Sequence, residues 1–198
     1  MSKRSLAKHL KRGEVYRRQD LEKFSSSIDR ELKQLVDDGV LEKLYRGLYY
    51  YPKISAFGKT PPDEALLVQR FLDDTRFLLT TPNNYNMLGV GTTQMYNSRV
   101  VYNHKQHGDI ELGGKLFIFK VKHHFPKKLT EEFLLIDLVN NLDTLAEDKE
   151  VVLENVFEKV ATKDAAKMRR ELSLYGNVKT QKLLKSVLGL SHGSKLSA

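Results

Sequence analysis

The chain has 198 residues, 40% of them hydrophobic and 29% charged, with no cysteine and no tryptophan. Such a composition supports one large or two small packed domains, and it excludes a disulfide framework, a thiolate metal site and wholesale disorder. Formal net charge is +8 and unevenly spread: residues 1–60 carry +6, residues 61–150 carry −3 and residues 151–198 carry +5.

Basic ends favour a polyanionic partner, because each neutralised phosphate releases a condensed counterion. No apolar run of about 18 residues exists to span a membrane. The opening "MSKRSLAKHLKRG" is basic but lacks the apolar core of a secretory leader. A cytoplasmic protein is the expectation.

In chain order, the first predicted element is a helix over residues 5–12, with Leu6, Ala7 and Leu10 on one face and Gly13 closing it. An extended stub follows at Val15-Tyr16. A short helix over residues 19–24 turns Leu21 and Phe24 inward. Ser25, Ser26 and Ser27 then offer N-caps, with Ser26-x-x-Asp29 a loose capping box. The third helix runs to Asp38, with Gly39 at its end. Its Ile28, Leu32, Leu35 and Val36 recur at i, i+4, i+7 and i+8, the stripe of a helix with one buried side. "VLEKL" and "LYYY" predict two strands around a turn at Tyr45-Arg46-Gly47. Helix, stub, helix, turn, helix, hairpin is the order of a winged helix-turn-helix.

"KISAFGKT" predicts a linker, and Pro61-Pro62 a boundary. A helix follows to about Asp74, with Ala65, Leu66, Val68, Phe71 and Leu72 as its buried stripe. "RFLLTT" predicts a strand and "TPNNYNMLGV" a short helix capped by Thr81 and stopped at Gly89. "SRVVYN", "DIELG" and "KLFIFKVK" predict three more strands. Four helices close the chain: "LTEEFLLIDLVNNL" capped by Thr130, "EVVLENVFEKVA", "AAKMRRELSLYG" and "TQKLLKSVLGL". The tail "SHGSKLSA" predicts disorder. The expected fold class is α+β. A winged helix-turn-helix at 1–56 precedes a mixed domain at 60–190, with a small antiparallel sheet and C-terminal helices, and a disordered tail at 191–198.

With the apolar stripe of the third helix turned inward, Ser26, Arg30, Lys33 and Gln34 point outward. Arg and Lys match guanine O6/N7, Gln matches adenine N6/N7, and Ser26 and Ser27 suit phosphate or base edges. In a helix-turn-helix the N-terminal half of this helix enters the major groove. Asp37 and Asp38 at the far end would repel phosphate and stay outside. Lys43 and Arg46 arm the hairpin, and Arg17 and Arg18 join Lys8, Lys11 and Arg12 as contacts to the DNA backbone. A palindromic operator would take two copies.

The stretches "RRQDLEKFSSSIDRELKQLVDDGVLEKLYRGLYYYP", "TTPNNYNMLGVGTTQ" and "VVYNHKQHGDIELGGKLFIFK" resemble the AbiEi-type antitoxins of bacterial type IV toxin–antitoxin systems, from about Glu14 to Leu190. "LYRGLY" at 44–49 and "MLGVGTTQ" at 87–94 carry most of the likeness. The resemblance implies a repressor of its own promoter and a second domain that antagonises a nucleotidyltransferase-like toxin without needing a stable complex. Lys163, Lys167, Arg169, Arg170 and Lys179 are candidates by charge for that domain's working face.

Other chemistry fits poorly. His123 and His124 on a strand would face opposite sides. His104 and His107 lie in a turn-like stretch. Gly89-x-Gly91 lacks the third glycine of a dinucleotide loop, and no phosphate loop occurs. A metal-dependent nuclease needs a carboxylate two residues before Lys120, where Ile118 stands. The expectation is therefore no enzyme, no metal and no cofactor. The competing reading is a winged helix used for protein contacts, with non-specific nucleic-acid binding left to the basic C-terminal helices.

Overall fold

A computed structural model describes residues 6–189 of the chain. They form a mixed α+β protein with small antiparallel sheets and C-terminal helices, divided into two compact units. One unit holds residues 6–77 together with Lys105–Phe119. The other holds Leu78–His104 together with residues 120–189. The unit containing residues 6–56 thus also takes in the following helix and a later hairpin.

The first unit begins with a 3-10 turn at Leu6–His9, shorter than the helix expected there; Ser5 lies outside the described residues. Strand β1 (Val15–Arg17) leads into α1 (Arg18–Leu21), and a 3-10 turn (Glu22–Phe24) continues it. Helix α2 (Ile28–Asp37) follows. Gly39 after it has φ 68°, the left-handed conformation that lets the chain reverse. Strands β2 (Glu42–Tyr45) and β3 (Leu48–Tyr50) form the expected hairpin, and β1 pairs on the far side of β3. Gly47, at φ 71°, makes the turn possible.

Leu6, Leu10, Leu21, Ile28, Leu32 and Leu41 are buried together at the centre of this unit. Each buried aliphatic side chain contributes about 1.5–3 kcal/mol of transfer free energy. "KISAFGKT" is not a linker. It forms a second hairpin, β4 (Ile54–Ser55) with β5 (Gly58–Lys59), in which the Ser55 hydroxyl donates to the Gly58 carbonyl. Helix α3 (Glu64–Leu72) starts at Asp63, whose carboxylate accepts from the Leu66 N–H. Its buried side is Leu67, Val68 and Leu72, and Ala65 is exposed, so the expected stripe is rotated. The hairpin of β8 (Gly108–Leu112) and β9 (Lys115–Val121) returns to this unit as far as Phe119. There the Gly113 N–H donates to the Leu44 carbonyl, and Phe71 packs on Phe119.

In the second unit β6 (Phe77–Thr80) pairs with β7 (Arg99–Asn103). A 3-10 turn at Pro82–Leu88 is capped by the Thr81 hydroxyl and ends at Gly89, φ 65°. Helix α4 (Glu131–Asn141) is buried continuously from Phe133 to Val139, the signature of a helix surrounded by others. The Thr130 hydroxyl accepts from the Phe133 N–H as its cap. Helices α5 (Lys149–Ala161), α6 (Ala165–Tyr175) and α7 (Val178–Val187) pack around it. Residues 190–198, expected to be a disordered tail, lie outside the described residues.

Candidate nucleic-acid interface

The three serines cap α2 differently from the expected box. Ser27 occupies the N-cap position without a side-chain cap bond. The Ser25 hydroxyl instead accepts from the Ser27 N–H and donates to Glu31, at 3.1 and 2.6 Å. Glu31 also accepts from the Leu6 N–H at 3.3 Å. Asp29, assigned to the box by spacing, turns away to Arg18. A long-range ion pair outcompetes the local cap. Ser26 is left exposed at the start of the helix, and Ser27 is half-buried.

Arg30 and Lys33 stand exposed on the outer side of α2, opposite buried Ile28 and Leu32. Gln34 is half-buried beside a small concavity lined by Ala7, Glu31, Leu35 and Asp38, so it is less open than the two cations. Lys43 and Arg46 are exposed on β2 and the hairpin turn. Among the described residues, none of the side chains of Arg30, Lys33, Lys43 and Arg46 has a hydrogen-bonding or ion-pairing partner.

Arg17 and Arg18 behave otherwise. Arg17 chelates Asp20 at 2.6 and 2.9 Å and also pairs with Asp73. Arg18 grips Asp29 of α2 through two bonds, at 2.5 and 2.6 Å, and pairs with Glu22. The Arg18 guanidinium holds the Asp29 carboxyl below the usual carboxylate range. Its own backbone N–H donates to the Gly47 carbonyl at 2.8 Å. Arg18 therefore joins the first turn of α2 to the β2–β3 turn. Arg17 and Arg18, expected as contacts to a DNA backbone, are thus both ion-paired to neighbouring carboxylates.

A surface concavity of about 310 Å³ opens beside this junction, lined among others by Arg17, Arg18, Tyr45, Arg46, Arg70 and Phe71. Arg70, from α3, was missed by the sequence reading. Only the return of α3 to β1 brings it here, and no local signal marks that.

The basic set of the second unit is mostly neutralised. Lys163 pairs with Glu131 at 2.6 Å, Lys167 with Glu132 at 2.8 Å and Lys179 with Asp143 at 2.6 Å. Arg169 donates to the Leu188 carbonyl, and Arg170 alone of the five has no partner among the described residues. The five do not form one open cationic face.

The "GVGTTQ" loop is bound along α5 at helical spacing. Glu147, just before α5, accepts from the Thr93 and Gln94 N–H groups. Val151 and Asn155 lie against Gly91, and Lys159 donates to the Leu88 carbonyl at 2.6 Å. Gly91 has φ 89°, and an added Cβ would meet the Asn155 side chain at 3.3 Å. A further buried cluster was not foreseen. Asp137 on α4 accepts from the Tyr102 hydroxyl at 2.7 Å, the Tyr85 hydroxyl at 2.8 Å and the Asn141 amide at 3.2 Å. Burial pushes its carboxyl up, against the lowering effect of the two hydroxyls.

Among the described residues no helix is long and apolar enough to cross a membrane. No curated protein matches the chain. Residues 3–172 match the model of DUF6088, a family of unknown function, and that span includes the whole α2–hairpin surface; the chain belongs to this family.

Proposed function

We infer that the first unit is a winged helix-turn-helix that binds double-stranded DNA, with α2 as the recognition helix and the β2–β3 hairpin as the wing. The reading is supported above all by one pattern. The outward residues of α2 and the hairpin keep their cations unpaired, whereas nearby Arg17 and Arg18 are consumed by carboxylates. Leaving cations unpaired suits a surface that meets phosphates and base edges. The resemblance to AbiEi-type antitoxins supplies the setting: a repressor of its own promoter whose second unit counters a nucleotidyltransferase-like toxin. A palindromic operator would take two copies.

In this account Arg30 and Lys33 read bases, Ser26 and Ser27 meet phosphate at the helix start, and Lys43 and Arg46 hold the flanking backbone or minor groove. Gln34 takes a lesser part because it is half-buried. The test is a gel-shift titration on the duplex upstream of the protein's own reading frame. Arg30→Ala is expected to cost about 1–3 kcal/mol and to relax preference at one base pair. Lys43→Ala is expected to weaken all sequences alike and to reduce the salt slope by about one. Unchanged binding by both variants would overturn the assignment.

A further inference from the structure

Six large apolar residues of the second unit are exposed among the described residues: Met87, Met95, Val121, Val151, Leu174 and Val178. Five of them fall on two faces of opposite charge. The first face is built on the "GVGTTQ" loop and α5. Met87 and Met95, 71% and 78% exposed, flank that loop, and the Asn86 amide lies 3.9 Å from the Met95 sulfur. Val151 borders the same loop at Gly91. Glu154 and Glu158 follow Val151 at i+3 and i+7, so they continue its side of α5. Both are exposed, and neither has a partner among the described residues.

The second face is built on α6 and α7. Arg170 and Leu174 lie four residues apart on α6. Val178, 73% exposed, shares one side of α7 with Lys182 and Lys185 at i+4 and i+7. These three cations are exposed and also without partners among the described residues. One face is apolar and acidic, the other apolar and basic.

We propose that the occupant of each face is the other face on a second copy of this chain. Two features point to that partner. Charge and apolar character are complementary within a single chain. In addition, α5 and α7 pack on each other, so the two faces sit on neighbouring helices. A two-fold dimer can then make the acidic-to-basic contact twice, which is the self-complementarity that a closed pair requires. The loop's attachment to α5 by Glu147, Asn155 and Lys159 presents the methionines on a fixed backbone, which lowers the ordering cost of association. Methionine also adapts to irregular partner surfaces.

The test is sedimentation equilibrium of the full chain and of two charge-reversed variants, E154K/E158K and K182E/K185E. The full chain is expected to double its 22.8 kDa mass at micromolar concentration, and each variant alone to sediment as a monomer. An equimolar mixture of the two variants is expected to restore the doubled mass, because each contact in the heterodimer again joins opposite charges. Circular dichroism checks that both variants keep their helix content. A monomeric full chain, a dimer indifferent to both reversals, or a mixture that stays monomeric would each overturn the proposal. None of these outcomes bears on half-site binding through Arg30, which a monomer performs as well.

Discussion

At the scale of single residues, the chemistry divides into cations left open and polar groups locked inside. Asp137 is the clearest of the locked ones. In the sequence it is one acid in "EEFLLIDLVNNL", and its helix was legible from the capping threonine and the apolar run. Its partners were not, because Tyr102 and Tyr85 stand 35 and 52 residues away. Removing the carboxylate leaves two buried hydroxyls and an amide without their acceptor. Asp137→Ala is therefore expected to lose about 3 kcal/mol or more of stability in urea denaturation. The pH dependence has a definite sign. A carboxyl raised by burial contributes its stability in full below its ordinary pKa of about 4 and loses it as pH rises through the raised value. The stability of the native chain relative to Asp137→Asn should therefore decline as pH rises from 4; a difference independent of pH would count against the buried carboxyl.

At the scale of elements, local signals carried far and then failed where a long-range contact took over. Of the 3.6-residue stripe Ile28, Leu32, Leu35 and Val36, the first two are buried and the last two half-buried against the same core, and the turn at Tyr45-Arg46-Gly47 and the caps at Thr81 and Thr130 stand as read. The capping box failed because Asp29 prefers a bidentate arginine 11 residues back to a backbone N–H. The "linker" failed because a serine–glycine bond closes a hairpin too short to show alternation. The Arg18 junction has a functional consequence. It orients α2 against the hairpin turn, and lysine cannot reproduce a forked grip on Asp29 while also reaching Glu22. Arg18→Lys keeps the charge, so it should leave the salt slope of DNA binding unchanged. It should narrow the affinity ratio between promoter and scrambled duplex, measured by competition. A reduced slope with an unchanged ratio would make Arg18 a phosphate contact instead.

At the scale of the whole molecule, charge totals along the chain differ from where the charges stand open. Residues 151–198 carry a net +5 and offer Lys163, Lys167, Arg169, Arg170 and Lys179 as candidates by charge, yet Lys163, Lys167 and Lys179 pair with acids of the middle segment. Segment totals count charges along the chain, whereas pairing depends on which helices pack together. Chain order likewise suggested a cut after residue 56. Lys105–Phe119, which hold most of the β8–β9 hairpin, group with the first unit, a return that no local pattern announces. What survives at this scale is a compact unit in which α2 and the β2–β3 hairpin carry four exposed cations whose side chains have no partner among the described residues. If these cations meet phosphates, log K should fall linearly with log salt, by about 0.9 per phosphate neutralised. The most direct measurement is fluorescence anisotropy of the full chain on its own upstream duplex and on a scrambled one, across salt concentrations, for the native protein and for R30A/K33A. The native protein is expected to prefer its upstream duplex, and R30A/K33A, with unchanged circular dichroism, is expected to bind both duplexes alike and more weakly. A double variant that kept the native preference and affinity would contradict this reading.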